Sequence, residues 1–246
     1  MDKYKKAAQM IKDSSHITAF TGAGISVESG VPPFRGKEGL WNKYDPAILD
    51  INRFYADPEK IWGYIKEIFY DYFAEAEANP AHKALAELEN QDLIKAVITQ
   101  NIDNLHQEAG SKNVIEFHGN SKKLVCTKCG NRYTVDESIF AVLPPKCDDC
   151  QGVLKPDFVF FGESIPDKAL DLSYQEAEKA DLFLVIGTTG EVYPASMIPI
   201  YAKDSGAEII EINTKKSNFT DRITDIFLKD KASIAVQKIA EELDIS

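Results

Sequence analysis

An α/β fold is predicted, with a parallel sheet covered by helices on both faces and a smaller module inserted near the middle. Three observations carry this. Apolar strand-like runs alternate with amphipathic helical runs along most of the 246 residues. The run DLFLVIGTT at 181–189 is almost continuously apolar, the pattern of a strand buried on both faces. All four cysteines fall between Cys126 and Cys150, where apolar residues are few, which marks the insertion.

Residues 3–13 have a helical pattern, and HITAF at 16–20 a strand that runs straight into Thr21-Gly22-Ala23-Gly24. Residues 31–60 are expected to be irregular, broken by Pro32, Pro33, Pro46 and Pro58. The aromatic-rich stretch 61–73 predicts a helix with Ile61, Tyr64, Ile65 and Ile68 on one face. A second helix starts at Pro80 and shows Ala84, Leu85 and Leu88 on one side. A strand at 95–99 follows, then a turn and short helix at 100–110, and a short strand at 113–119. Residues 157–162 are short and extended. A helix at 167–180 leads into the apolar strand 181–189, and another helix leads to a strand at 207–213. A short strand at 225–229 and a helix at 233–243 complete the series. There is no internal repeat and no low-complexity tract.

Composition bounds the function. Hydrophobic residues make up 44% of the chain, enough for a real core, so a disordered chain is excluded. The net charge of −11, from 28 Lys and Arg against 39 Asp and Glu, argues against direct nucleic-acid binding. It would tolerate a lysine-rich peptide partner. No run approaches the ~18 apolar residues that span a bilayer, and MDKYKKAAQMIKDSS lacks the apolar centre of a signal peptide. A cytoplasmic location is expected, with no membrane partner; a monomer is admissible.

Cys126-x-x-Cys129 and Cys147-x-x-Cys150 are two metal-knuckle pairs separated by 17 residues. Four thiolates suit one structural Zn²⁺, with no position left for a reacting water. The rival readings are a thioredoxin-like redox pair and an iron–sulfur cluster; two pairs at this spacing favour zinc.

Gly22-Ala23-Gly24 follows a strand, where backbone N–H groups can face a phosphate. The loop lacks the G-x-G-x-x-G dinucleotide fingerprint, so a plain tight turn competes with that reading. Gly187-Thr188-Thr189 ends the most buried strand, and Asn213 ends the next. Polar strand ends on one edge of a parallel sheet favour a nucleotide site. Thr99 is followed closely by Gln100, Asn101, Asp103, Asn104 and His106. His118 ends an apolar β segment and precedes Gly119, a good position for a general base. His16 and His82 are read as packing or ordinary hydrogen-bonding residues. Neither a G-x-S-x-G elbow nor H-E-x-x-H occurs, so hydrolases of those kinds are unsupported.

Taken in order, GAGIS at 22–26, FRG at 34–36, TQNIDNLH at 99–106, HG at 118–119, the cysteine quartet, FFGE at 160–163 and GTT…YPA at 187–195 resemble the sirtuins, NAD-dependent protein deacylases. The resemblance covers nearly the whole chain. It implies a large Rossmann-like NAD-binding domain made of 1–33, 76–119 and 157–246. A small domain would comprise a helical module with the cofactor loop, 34–75, and a zinc-ribbon-like module, 120–156. Ala23 with Gly22 and Gly24 would hold the pyrophosphate region, Val27 would join the cofactor contacts, and Phe34 and Arg35 would form the cofactor loop. Gln100, Asn101, Ile102 and Asp103 would line the ribose and nicotinamide pocket, with Asn101 also positioning a water. Gly187, Thr188, Thr189, Asn213 and Ala232 would surround the adenosine half.

The resemblance further implies that His118 is the general base. The acyl group of an acetylated or otherwise acylated lysine would pass to ADP-ribose, releasing nicotinamide, 2′-O-acyl-ADP-ribose and free lysine. Val159, Phe160, Phe161 and Gly162, with Glu191, Val192 and Tyr193, would sandwich the peptide as an added strand. Two departures stand out. Pro33 replaces a commonly polar residue before Phe34, removing a side-chain polar group and an N–H. Thr188-Thr189-Gly190 and Leu40-Trp41 lean toward a desuccinylase-like branch, yet the tyrosine and arginine that read acidic acyl groups there align with Ile65 and Ile68. An apolar acyl pocket is therefore expected, taking acetyl first and longer neutral chains after it; both isoleucines as plain core residues would equally exclude an acidic preference. The alternatives are a mono-ADP-ribosyltransferase on the same fold, a desuccinylase or demalonylase specificity, and a non-enzymatic zinc-containing binding module.

Overall fold

The computed structural model describes residues 2–34, 36, 39–71 and 75–244. In chain order its α-helices are α1 (Lys3–Asp13), α2 (Ile51–Ala56), α3 (Pro58–Ile65), α4 (Pro80–Asn90), α5 (Leu105–Glu108), α6 (Asp167–Lys179), α7 (Met197–Asp204) and α8 (Ala232–Glu242). Its strands are β1 (Ile17–Thr21), β2 (Ile94–Thr99), β3 (Val114–Glu116), β4 (Gly119–Cys126), β5 (Arg132–Thr134), β6 (Leu154–Phe158), β7 (Leu182–Ile186), β8 (Glu208–Ile212) and β9 (Ile226–Leu228).

Every residue of β1 and of β7 is buried, so neither strand has a face for water and both need helices on each side. They pair in parallel, from Ile17 beside Leu182 to Thr21 beside Ile186. Among the described residues they sit at the centre of a six-stranded parallel sheet, ordered β3-β2-β1-β7-β8-β9. Alternation along β7 sends Leu184 and Ile186 into one core, with Ile11 of α1, Leu85 of α4 and Ile239 of α8. Phe183 and Val185 enter the other, with Ala177 of α6 and Ile198 of α7. Each fully buried Leu, Ile, Val or Phe side chain contributes roughly 1.5–3 kcal/mol.

Helix ends follow local chemistry. The Asp2 carboxylate accepts from the Tyr4 N–H to start α1. Asn79 and His82 form a reciprocal capping box on α4, with Pro80 in the first turn.

The expected parallel sheet with an inserted module is present, with four local differences. The stretch 31–60 is not wholly irregular, because Asp50 caps α2 by accepting from Asn52 and Arg53 N–H groups. The helix expected at 61–73 begins at Pro58, where Asp57 accepts from the Lys60 N–H, and turns π-helical over Lys66–Asp71. The strand expected at 113–119 stops at Glu116; Gly119, at φ +79°, starts β4 instead. The extended segment begins at Leu154 rather than 157.

The inserted module is a three-stranded antiparallel sheet, β5-β4-β6. It is too poor in apolar residues for a core of its own. Leu124, Leu154 and Phe158 share one with Phe54, Trp62 and Ile65 of the helical segment, and the Trp62 indole donates to the Leu154 carbonyl at 2.8 Å. Among the described residues no helix is long and apolar enough to cross a membrane.

Candidate active site and metal centre

The sheet order reverses direction between β1 and β7, and ligands of open α/β sheets bind at the C-terminal strand ends beside such a switch. The loops after β1 and β7 interlock there. Gly24 N–H donates to the Gly187 carbonyl at 2.8 Å, and a Cβ on Gly24 would lie 2.6 Å from the Gly187 Cα. A Cβ on Gly22 would meet Thr188 Cβ at 2.8 Å. These glycines therefore allow two loops to touch, and that contact brings Ala23 to the wall of the crevice. Gln100 Nε2 donates to Thr188 Oγ1 at 3.1 Å, and Asn213 Nδ2 donates to the Thr188 carbonyl at 2.9 Å. Strand ends β1, β2, β7 and β8 are thus tied into one rim. Ala232 opens α8 and is buried, whereas Thr189 and Val27 are exposed.

Inside the rim lies a polar cluster whose hydrogen bonds can be assigned without ambiguity. Asn79 N–H donates to His82 Nδ1, so the proton of neutral His82 sits on Nε2, facing Ser26 Oγ at 3.4 Å. Asn101 Nδ2 also donates to Ser26 Oγ, at 3.1 Å, and to the Gly22 carbonyl at 3.2 Å. The Ser26 hydroxyl donates to Asp103 Oδ2 at 2.7 Å, and Leu105 N–H donates to Oδ1 at 3.0 Å. Burial raises the Asp103 carboxyl above its ordinary 3.8, with the Ser26 bond opposing. Burial lowers His82 to about 4. His106, packed edge-on to His82 with ring centroids 4.8 Å apart, is also held well below 6.5 by burial, and its Nδ1 has no partner. Sequence reasoning gave Ser26 no role of its own and placed His82 among packing or ordinary hydrogen-bonding residues, whereas the structure sets both in this cluster. The GAGIS serine and the Asn-Pro-x-His cap were the available signals.

His118 is half-buried and bonded through Nδ1 to the Gln100 carbonyl at 3.0 Å. A carbonyl only accepts, so Nδ1 carries the proton and Nε2 keeps its lone pair. Burial lowers its pKa from 6.5, with the Gln100 bond opposing.

Beside Asn101, Ile102 and Asp103 opens a cavity of about 710 Å³. Phe34 and Pro32 line one side, and Lys66, Phe69 and Tyr70 another. The Pro33 carbonyl accepts from the Leu40 N–H at 2.9 Å. Arg35 lies outside the described residues. Ile65 and Ile68 are fully buried behind the cavity wall, in the core shared with the small sheet. Lys122 lines the cavity as well as Lys66; Lys66 Nζ is bound to Asp71 Oδ1 at 2.6 Å, and Lys122 Nζ lies 4.0 Å from Glu108 Oε1.

Val159 N–H donates to the His118 carbonyl at 2.9 Å, so the segment Val159–Gly162 starts beside the imidazole. Phe160 is buried, Phe161 is 47% exposed and Gly162 is exposed. Glu191 and Tyr193 are exposed and Val192 half-buried on the loop after β7.

The two cysteine pairs, separated by 17 residues in sequence, converge with all four thiol sulfurs within 4.8 Å of one another. Cys126 and Cys150 lie 3.5 Å apart, Cys129 and Cys147 3.7 Å. A tetrahedron of sulfurs about 2.3 Å from a metal has edges of about 3.8 Å, whereas a disulfide needs about 2.05 Å. A Cβ on Gly152 would lie 2.9 Å from Cys126 Sγ, so the knuckle closes only around glycine. The cluster fits a four-thiolate metal site.

Residues 22–194 match the Sir2 family. An NAD-dependent protein deacylase of Pyrococcus furiosus is 47% identical over 248 residues, covering 97% of each chain. Another, of Aquifex aeolicus, is 43% identical over 236 residues, 94% of this chain and 96% of that one. The solved structure of a Sir2 protein with a p53 peptide and NAD⁺ superimposes with a TM-score of 0.91 at 38% identity, over the full length of both chains. A Sir2Tm structure bound to a propionylated peptide gives 0.90 at 37%, again over both full lengths. The switch-point crevice, the cysteine cluster and this end-to-end likeness agree: the chain belongs to the Sir2 family.

Proposed function

We infer that this chain is an NAD-dependent protein-lysine deacylase, releasing nicotinamide, 2′-O-acyl-ADP-ribose and free lysine. The observation that carries the inference is His118, tied through Nδ1 to the Gln100 carbonyl just past the end of β2, which leaves the Nε2 lone pair free. NAD supplies the electrophilic ribose carbon and the nicotinamide leaving group. His118 Nε2 accepts the proton of the attacking ribose hydroxyl. Asn101, held by Gly22 and Ser26, orients the ribose and a water, and Asp103 and Ile102 close the nicotinamide side. Ala23, Gly22 and Gly24 would hold the pyrophosphate, and Phe34 would contact the cofactor; the Arg35 assignment rests on the FRG motif alone. Gly187, Thr188, Thr189, Asn213 and Ala232 surround the adenosine half. Val159–Gly162 and residues 191–193 flank the peptide. Cys126, Cys129, Cys147 and Cys150 hold one structural Zn²⁺.

The chain divides into an NAD-binding domain of 1–33, 76–119 and 157–246, a helical module of 34–75 and a zinc module of 120–156. Neutral acyl groups are preferred, acetyl first. Among the described residues two lysines line the cavity, Lys66 paired with Asp71 and Lys122 paired with Glu108, and Ile65 and Ile68 behind it offer no charge to an acidic acyl group.

The test is a mass-spectrometric assay with NAD and matched acetyl-, butyryl- and succinyl-lysine peptides. Acetyl and butyryl loss with 2′-O-acyl-ADP-ribose is expected, falling at least ~100-fold in His118→Ala. Dominant succinyl removal overturns the acyl preference. ADP-ribosylated protein without deacylation overturns the reaction.

A further inference from the structure

Lys155 sits in β6 with only 6% of its surface exposed. An ammonium is rarely buried, because desolvating it is unfavourable unless charge and hydrogen bonds are both matched. Here all three donors are used. Nζ donates to the Pro156 carbonyl at 3.0 Å, the Phe158 carbonyl at 2.8 Å and Glu163 Oε2 at 2.9 Å. Its charge also lies 4.2 Å from the centre of the Phe160 ring. Glu163 Oε2 accepts a second bond, from the Phe160 N–H at 2.8 Å, and Glu163 N–H donates to the Phe160 carbonyl at 3.0 Å.

These contacts converge on one segment, 158–163. The segment is also held by core packing of Phe158 and Phe160, against Phe69 and Phe54, and by backbone bonds along its edges. Val159 N–H reaches His118 O, Phe161 N–H reaches Leu49 O, and Ile51 N–H reaches Phe161 O. The reversal at Gly162, which sits at φ +90°, is closed by the bond from Glu163 N–H to the Phe160 carbonyl, and the Lys155–Glu163 pair braces that turn through its side chains. The pair turns the Phe160 N–H and ring inward, and strand alternation then presents Phe161 to solvent at 47% exposure. The charge pair thus adds to core packing in keeping Phe160 inward and Phe161 outward.

We propose that Lys155, clamped by Glu163, is a positioning residue for acyl-peptide binding: it holds Val159–Gly162 in the peptide-accepting shape before the peptide arrives. The proposal rests on the deacylase reading above. Without the ammonium, the segment's carbonyls and Glu163 lose their shared partner, and peptide binding must supply the ordering.

The experiment is steady-state kinetics with an acetyl-lysine peptide and NAD, alongside thermal melting, for wild type, Lys155→Met, the double variant Lys155→Met/Glu163→Gln and Lys155→Arg. The double variant removes the buried charge together with its partner, which protects the fold. The peptide KM is expected to rise about tenfold in both Met-containing variants while the KM for NAD is unchanged. Lys155→Arg should recover most of the loss. A fall in active fraction lowers apparent kcat but leaves KM alone, so partial unfolding does not imitate this result. An unchanged peptide KM, or equal rises in both KM values, overturns the proposal. A wild-type protein that removes no acyl group overturns the deacylase reading itself, a distinct outcome.

Discussion

A neutral imidazole has one lone pair to offer, and the partner of its other nitrogen decides which. Gln100 makes that choice for His118 by accepting from Nδ1, leaving Nε2 to take a proton. Only the neutral ring can act, so activity must fall in acid. Burial, the larger influence, lowers the His118 pKa from 6.5, so the acid limb of kcat/KM should have its midpoint below pH 6.5. Burial lowers His82, to about 4, and His106 as well. A kcat/KM profile against pH checks this; a midpoint above 6.5 contradicts the assigned burial. His118 was nameable from sequence because an apolar strand delivers it next to Gly119. The Ser26–His82 contact was not, because it joins positions 56 apart and exists only once α4 docks beside the loop after β1.

At the scale of elements, the crevice depends on two loops touching backbone to backbone. Gly24→Ala puts a Cβ 2.6 Å from the Gly187 Cα and 2.7 Å from its carbonyl oxygen, neither of which can rotate away. We expect a loss of about 1–3 kcal/mol in urea unfolding and a matching loss of NAD binding by calorimetry. Gly63→Ala is the control. It lies within α3, its added Cβ meets nothing within 4 Å, and it should gain about 0.5–1 kcal/mol. Equal behaviour of the two variants would contradict the steric account. The same elements show what sequence can and cannot reveal. β7 was legible because Leu182–Ile186 is apolar without interruption, which only a doubly covered strand tolerates. β6 was cut short because Lys155 and Pro156 interrupt its pattern. Proline is accommodated because β6 is an edge of the small sheet, and the lysine is buried by partners supplied only by tertiary structure. α3 was started late, although Asp57-Pro58 is a recognisable cap and first turn.

At the scale of the molecule, the cysteine cluster supports more than its own knuckles. Cys126 and Cys147 belong to the same core as Trp62, Ile65 and Phe158, and β6 leads directly into the segment proposed to flank the peptide. The parallel sheet has separate cores on both faces and does not draw on this one. Four-thiolate zinc binding is worth roughly 10–16 kcal/mol in isolated peptides, as much as a whole domain's net stability of about 5–15 kcal/mol. Stripping the metal should therefore melt the small domain and leave the sheet folded. The two tryptophans make this measurable. Trp62 is fully buried in the shared core and Trp41 packs against it, so tryptophan emission reports on the small domain alone. A strong chelator should shift that emission to the red in step with metal loss and reduce deacylation by about tenfold or more. The helical signal of α1, α4, α6 and α8 should persist. Metal loss with unshifted emission and full activity would show that the cysteines do not hold this core together, and a simultaneous loss of all helix would show that the two cores fold as one.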